Sequence, residues 1–150
     1  MNYVRITLTL LIALFLQVLF VFADGKESPT KAALEFMEAY VSIDPAMAER
    51  ICKEQLTVED ASVVNSYILD QTAKAEQLGY KVSYLRDNLY HVKIDLLSGD
   101  YQAAKVHIRA ERKCPLRSFF NGTTRYVDET LDLIWEDNKW KVCSDLSSMF

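Results

Sequence analysis

Glu129, His91, His107 and the cysteines Cys52, Cys114 and Cys143 are the residues of this 150-residue chain whose types and spacing could do chemistry. Glu129 lies between Val127 and Leu131 in an alternating run, so strand parity turns it toward the apolar side. A carboxyl group held there would have its pKa raised by burial and could serve as a general base. The competing placement is an open rim, against arginine or solvent, or an outward turn forced by a bulge. His91 and His107 fall on neighbouring alternating runs with the same outward parity. If Leu97 pairs with Tyr101 across Ser98-Gly99-Asp100, the two imidazoles stand opposite each other. A shift of two residues separates them and sets Asp95 against Lys105, which gains a cross-strand charge pair. A two-histidine site would also need a third ligand such as Asp128 or Asp132. No metal and no other cofactor is expected.

Three cysteines permit one disulfide and leave one thiol over. Parity places Cys114 inward with Ala110, on the side where Cys52 lies, and Cys143 outward after Val142. The expected pair is therefore Cys52 with Cys114, and the alternative is Cys52 with Cys143. Neither histidine falls beside a cysteine by spacing, so a thiolate nucleophile would lack its base.

The elements that must position these residues begin after an apolar leader. Arg5 precedes the nearly unbroken hydrocarbon of Ile6 to Ala23, and Val21 and Ala23 supply small residues at the minus-three and minus-one positions of a signal peptidase site ahead of Asp24. Residues 1–23 are read as a signal peptide, 24–28 as a linker and 29–150 as one domain. The protein is then exported, periplasmic or secreted. The alternative is an uncleaved anchor, because residues 6–23 are long enough to span a bilayer and would be the chain's one membrane contact. Lys and Arg number 17 against 21 Asp and Glu, with the signs mixed along the chain, so the concentrated basic face of a nucleic-acid binder is missing.

Ser28-Pro29 reads as an N-cap with proline at the first helical position, predicting a helix to Val41. Asp44-Pro45 repeats that start and predicts a short helix through Lys53, and Thr57-Val58-Glu59-Asp60 resembles a capping box before a third helix that Gly79 ends. From Tyr80 the period changes to two, predicting strands Tyr80 to Arg86, Leu89 to Leu97, Gln102 to Arg112, Arg125 to Glu136 and Lys139 to Cys143. Helices first and an antiparallel meander after is the α+β pattern: three N-terminal helices on one face of a curved sheet of about five strands. Parity puts Tyr84, Tyr90, Trp135 and Trp140 on the helix-facing side, where with Tyr40 and Glu129 they would line an aromatic pocket. Arg109, Arg112, Lys113, Arg117 and Arg125 gather about a loop that carries Leu116, Phe119 and Phe120 and could meet a partner.

Three segments together resemble the nuclear transport factor 2-like superfamily: Ala-Ala-Leu-Glu-Phe-Met-Glu-Ala-Tyr at 32–40, Ala-Lys-Val-His-Ile-Arg-Ala at 104–110 and Leu-Ile-Trp-Glu-Asp-Asn-Lys-Trp-Lys-Val at 133–142. The resemblance covers residues 29–150 and implies a cone-shaped α+β roll enclosing a pocket. Enzymes of that superfamily place an acid/base carboxylate, or a His and Asp pair, inside it; Glu129 is the residue here that could take the first role. The expected function is an exported, non-catalytic binding module whose pocket holds a small apolar ligand or a protein partner of the envelope, with a homodimer admitted. The alternatives are an isomerase or dehydratase working through Glu129, and an envelope protein acting by protein contacts or held by an uncleaved anchor.

Overall fold

The computed structural model describes residues 7–17, 26–58, 61–115 and 124–145. The expected cleavage point at Ala23 and the loop residues Leu116, Arg117, Phe119 and Phe120 lie outside them. Residues 7–17 form a helix, α1, and among the described residues no helix is long and apolar enough to cross a membrane.

Helix α2, Pro29–Val41, has the predicted bounds because its start is fixed chemically. The Ser28 hydroxyl accepts the Lys31 N–H at 3.2 Å, and Pro29 supplies a preset φ without a donor to satisfy. Ala32, Ala33, Phe36, Met37 and Val41 bury one stripe of it. The second predicted helix is cut short. A 3-10 turn covers Pro45–Arg50, after which Ile51 makes a parallel bridge to Val142 and the Cys52 N–H donates to the Val142 carbonyl at 2.9 Å. Pairing with a strand forces extended backbone at 51 and 52 and ends the helical turn there, leaving a one-turn helix α3, Lys53–Leu56.

Thr57 does not cap the long helix. Thr57–Val58 (β1) and Ala61–Ser62 (β2) form a small hairpin, and the Ser62 hydroxyl accepts from the Asn65 N–H to start α4, Val63–Gln77. Gly79 ends it at φ 73, as its left-handed freedom allows. The strand expected over Tyr80 to Arg86 is absent. Its polar groups close locally instead: Tyr80 N–H to Ala75 O, and a 3-10 turn over Val82–Tyr84 with Leu85 N–H to Val82 O. Tyr80 and Tyr84 consequently stay exposed.

The sheet is four antiparallel strands in chain order, β3 Asn88–Gly99, β4 Ala103–Lys113, β5 Arg125–Glu136 and β6 Lys139–Val142. Helix α2 packs across all four, whereas α4 packs chiefly on the two 3-10 turns, so the architecture is α+β with one principal helix on the sheet. Ala104, Val106, Ile108, Leu131 and Leu133 meet Phe36 and Met37 in the core. At the β5–β6 turn Asp137 and Asn138 take φ 54 and 61, the primed-turn geometry that Asp and Asn tolerate.

Two aromatic residues at this end differ in burial. Trp140 is 7% exposed and Trp135 40%, with their rings edge-on at 5.6 Å as a cross-strand pair. Trp140→Ala is expected to cost about 3 kcal/mol, the low end for a large aromatic in a core, and Trp135→Ala about 1 kcal/mol. Denaturant unfolding of the two variants checks this, and equal losses would refute it.

Arg50 ties the entry of α2 to its surroundings. Its guanidinium grips Glu27 in a two-pronged pair at 2.9 and 3.1 Å and donates from Nε to Glu35 at 2.7 Å. The hydrogen bond from Arg50 holds the Glu27 carboxyl below its ordinary 4.5, against the opposing pull of burial. A depressed folded pKa stabilises the fold above about pH 4.5 and ceases to do so as pH falls through the folded value. Glu27→Gln should therefore narrow the gap between melting temperatures measured at pH 6 and at about pH 3.5. A gap as wide as that of the unsubstituted protein would show that the pair does not contribute.

Candidate functional site

The last turn of α2, the middle of α4 and the far ends of β4 and β5 converge on one cleft. Tyr40 lies one turn beyond Phe36, with the two rings 6.2 Å apart, and so projects past the filled core. Tyr67 comes from α4 one turn before Gln71, stacks on Tyr40 at 5.0 Å with 21° between planes, and donates its hydroxyl hydrogen to the Tyr40 carbonyl at 3.1 Å. Arg112 and Arg125 are register partners on β4 and β5, which puts two guanidinium groups side by side. Both share the parity of the helix-facing Ala110 and Val127.

Asp87 reconciles them. It sits just ahead of β3, fixed by its N–H to the Val41 carbonyl at 2.9 Å, and is 1% exposed. Its Oδ2 accepts from Arg112 Nε and, at 2.9 Å, from Arg125 Nη2. One carboxylate between two guanidinium groups leaves a local charge of plus one. The Arg112 guanidinium also stands 6.0 Å from the Tyr40 ring centre, a cation–π distance. The cleft these groups border measures about 510 Å³ and is further lined by Lys74, which pairs with Asp70 one turn away at 2.6 Å.

Its titrations move in one direction. Burial raises the Tyr67 phenol well above the usual tyrosine range, and burial, opposed by the Arg112 charge, raises Tyr40. Both phenols stay protonated through neutral pH and can offer polarity and ring surface but not a base.

Of the aromatic residues expected to line a pocket, Tyr40 is at this cleft and the others are elsewhere. Tyr84 is exposed beside Tyr80 at 6.0 Å. Tyr90 is turned to the opposite face by a bulge: Tyr90 pairs with Glu111 and Lys93 with Arg109, so His91, at φ 52, and Val92 together oppose Ala110. Its ring lies under Lys113 at 5.7 Å. Trp135 and Trp140 belong to the β5–β6 hairpin, at the other end of β5 from Arg125. Glu129 does share the inward register, opposite buried Ile108, but it is exposed rather than enclosed and is not among the residues lining the cleft, though its charge helps to raise Tyr40.

The β3–β4 register is a further two residues from the two expected: Asp95 faces His107, and Arg109 reaches Asp95 at 3.0 Å. His91 contacts Glu111 at 3.2 Å and His107 contacts Asp128 at 2.6 Å, so the imidazoles are held apart by separate carboxylates. Among the described residues no three His, Cys, Asp or Glu side chains are grouped to hold a metal ion.

The expected Cys52–Cys114 pairing is corrected by the Cys52–Cys143 disulfide, Cα atoms 5.3 Å apart. The strand ends at Val142, so alternation no longer governs Cys143, and the Ile51–Val142 bridge sets the two cysteines side by side. Cys114 is a buried thiol that donates to the Tyr84 carbonyl at 3.3 Å.

Tyr67 and Asp87 carry the site without having stood out in the sequence. Tyr67 lies three residues after Val64, within the helical spacing that marked α4, while Asp87 has no local pattern; Arg112 and Arg125 appear there only as part of a basic cluster.

No family model and no curated protein matches the chain. Solved structures similar to it include a protein described as a putative NTF2-like transpeptidase from Campylobacter jejuni, at 15% identity over 79% of this chain and 99% of that one with a TM-score of 0.48, and one described as a putative calcium/calmodulin dependent protein kinase II association domain from Xanthomonas campestris, at 14% identity over 75% and 79% with a TM-score of 0.44.

Proposed function

We propose that this protein is an exported roll of the nuclear transport factor 2-like kind that binds a small aromatic acid in the cleft of Tyr40, Tyr67, Arg112 and Arg125. The observation that carries the reading is the pairing of stacked phenol rings with two guanidinium groups that share one carboxylate. A flat ring packs against the Tyr40–Tyr67 pair where it lines the cleft, and its carboxylate takes the donors of Arg125 that Asp87 does not use, a fork that suits a planar anion. The unbalanced positive charge favours an acid over a neutral ligand. An entirely apolar ligand is less well served, because Phe36, Met37, Ile108, Leu131 and Leu133 fill the space between α2 and the sheet.

Binding without turnover fits the cleft: burial raises both its phenols, and the exposed Glu129 is not among its lining residues. Export is supported by the leader pattern of residues 1–23 and by the Cys52–Cys143 bridge, which persists in an oxidising compartment.

Calorimetric titration with phenylacetate and with its neutral amide tests the reading. The acid should bind at least tenfold more tightly than the amide, and Arg125→Gln should abolish that preference while leaving the melting temperature within a few degrees, since Arg125 is half exposed. Equal affinity for acid and amide, or an unaltered preference in the variant, would overturn it.

A further inference from the structure

Strand β3 is one edge of the sheet: it pairs with β4 alone, and among the described residues no backbone group from Asn88 to Gly99 bonds beyond that pairing. In an antiparallel ladder every second residue of such a strand turns its N–H and C=O to the open side. Two register shifts, between Tyr90 and Lys93 and between Leu96 and Ser98, blunt this edge and leave Lys93 to Leu96 as its regular stretch. The helix-facing row is closed on the inner strands and open here. Val106, Ile108, Leu131 and Leu133 are at most 1% exposed, whereas Val92 and Ile94 are half-buried and Leu96 is 53% exposed. On the outer face Lys93 stands opposite Arg109, a like charge, while Arg109 reaches Asp95 Oδ2 at 3.0 Å. Lys93 itself forms no ion pair among the described residues.

We propose that β3 pairs antiparallel with β3 of a second copy of this chain, about a twofold axis through Ile94. Residues directly opposite in an antiparallel pair point to the same face, so an axis that continues the sheet passes through a residue position and matches each residue with one equally far on the other side. Centred on Ile94, the axis sets Lys93 against the partner's Asp95 and Asp95 against the partner's Lys93, two opposite-charge pairs. Centred one residue to either side, it would set Lys93 against its own copy or Asp95 against its own copy, and like charges would meet. Asp95 can serve both neighbours, because Oδ2 holds Arg109 and Oδ1 is left for the incoming ammonium. On the helix-facing side Ile94 meets its own copy, and Val92 meets the partner's Leu96, covering the row that is open in the single chain. The order Val92-Lys93-Ile94-Asp95-Leu96 reads the same in apolar residues and opposite in charge from either end, which selects a second copy over an unrelated strand.

Sedimentation of the full-length protein and of two charge-reversed variants tests the proposal. The unsubstituted chain should dimerise reversibly in the micromolar range. Lys93→Asp and Asp95→Lys each replace two attractions across the seam by two repulsions, and each should weaken dimerisation at least tenfold. Both positions are exposed, so each variant should keep the circular-dichroism spectrum of the folded chain. An equimolar mixture of the two variants should recover the dimer, because one chain is then acidic at both positions and the other basic at both. A tagged Lys93→Asp chain should accordingly retain untagged Asp95→Lys chain and not untagged Lys93→Asp chain. A monomeric unsubstituted protein, a dimer that survives either single variant, or a mixture of the folded variants that stays monomeric would overturn the proposal.

Discussion

Serine at both Cys52 and Cys143 is expected to lower the unfolding free energy by about 4 to 5 kcal/mol, the loss that the chain-entropy account assigns to a closed loop of this length. The bridge spans 91 residues of sequence, so the unfolded chain it restrains is most of the domain. It also locks the seam between the 3-10 turn before Ile51 and strand β6, where the Ile51–Val142 bridge and the Cys52 N–H bond already join the first part of the domain to its last strand. A loss of that size approaches the whole stability of many small domains. Denaturant unfolding of the double-serine protein beside the oxidised one measures it. A difference under about 1 kcal/mol would mean that the bridge does not restrain the unfolded chain as its length requires. Cys114→Ser serves as the control and should leave the oxidised protein's disulfide intact, because Cys114 is the buried free thiol.

Asp87→Ala is the second large effect, at about 3 to 5 kcal/mol, the usual consequence of removing one partner from a buried ion pair. The carboxylate is 1% exposed and receives both Arg112 and Arg125; the Arg112 side chain is 19% exposed and cannot easily reach water instead. Removing it leaves two adjacent positive charges on register-paired strand positions. Replacing Arg112 by Met in the Asp87→Ala background should recover part of the loss, since an apolar side chain of similar length leaves no stranded charge. The double-mutant cycle measures the coupling directly, and additive losses would show that the two groups do not interact as drawn.

Some of this architecture was legible in the residues alone and some could not be. Helix α2 and strand β5 have their predicted bounds because a Ser-Pro start and a long alternation are local signals that tertiary contacts reinforce. The inward row Ala104, Val106, Ile108 and Ala110 followed from parity for the same reason. Parity failed where the backbone broke its own period. The bulge at His91 reversed Tyr90, and the end of β6 released Cys143. Tyr80, Val82 and Tyr84 alternate like a strand, yet the segment turns on itself because α4 ends beside it and supplies the Ala75 carbonyl as partner. The aromatic pocket expected from five scattered rings reduced to Tyr40, and the cleft gained Tyr67, Asp87, Arg112 and Arg125 through pairings between distant segments that no local spacing encodes.

We propose the tyrosine and arginine cleft, and not the filled interior or the outer sheet face, as the seat of an aromatic acid. Mapping of phenylacetate-induced amide shifts on the isotopically labelled protein tests it most directly. Saturable shifts are expected at Tyr40, Tyr67, Gln71, Arg112 and Arg125, with apparent affinity at least tenfold weaker for phenylacetamide. Shifts centred on the Trp135 and Trp140 hairpin or on the His107 and Asp128 face, or none that saturates, would contradict it.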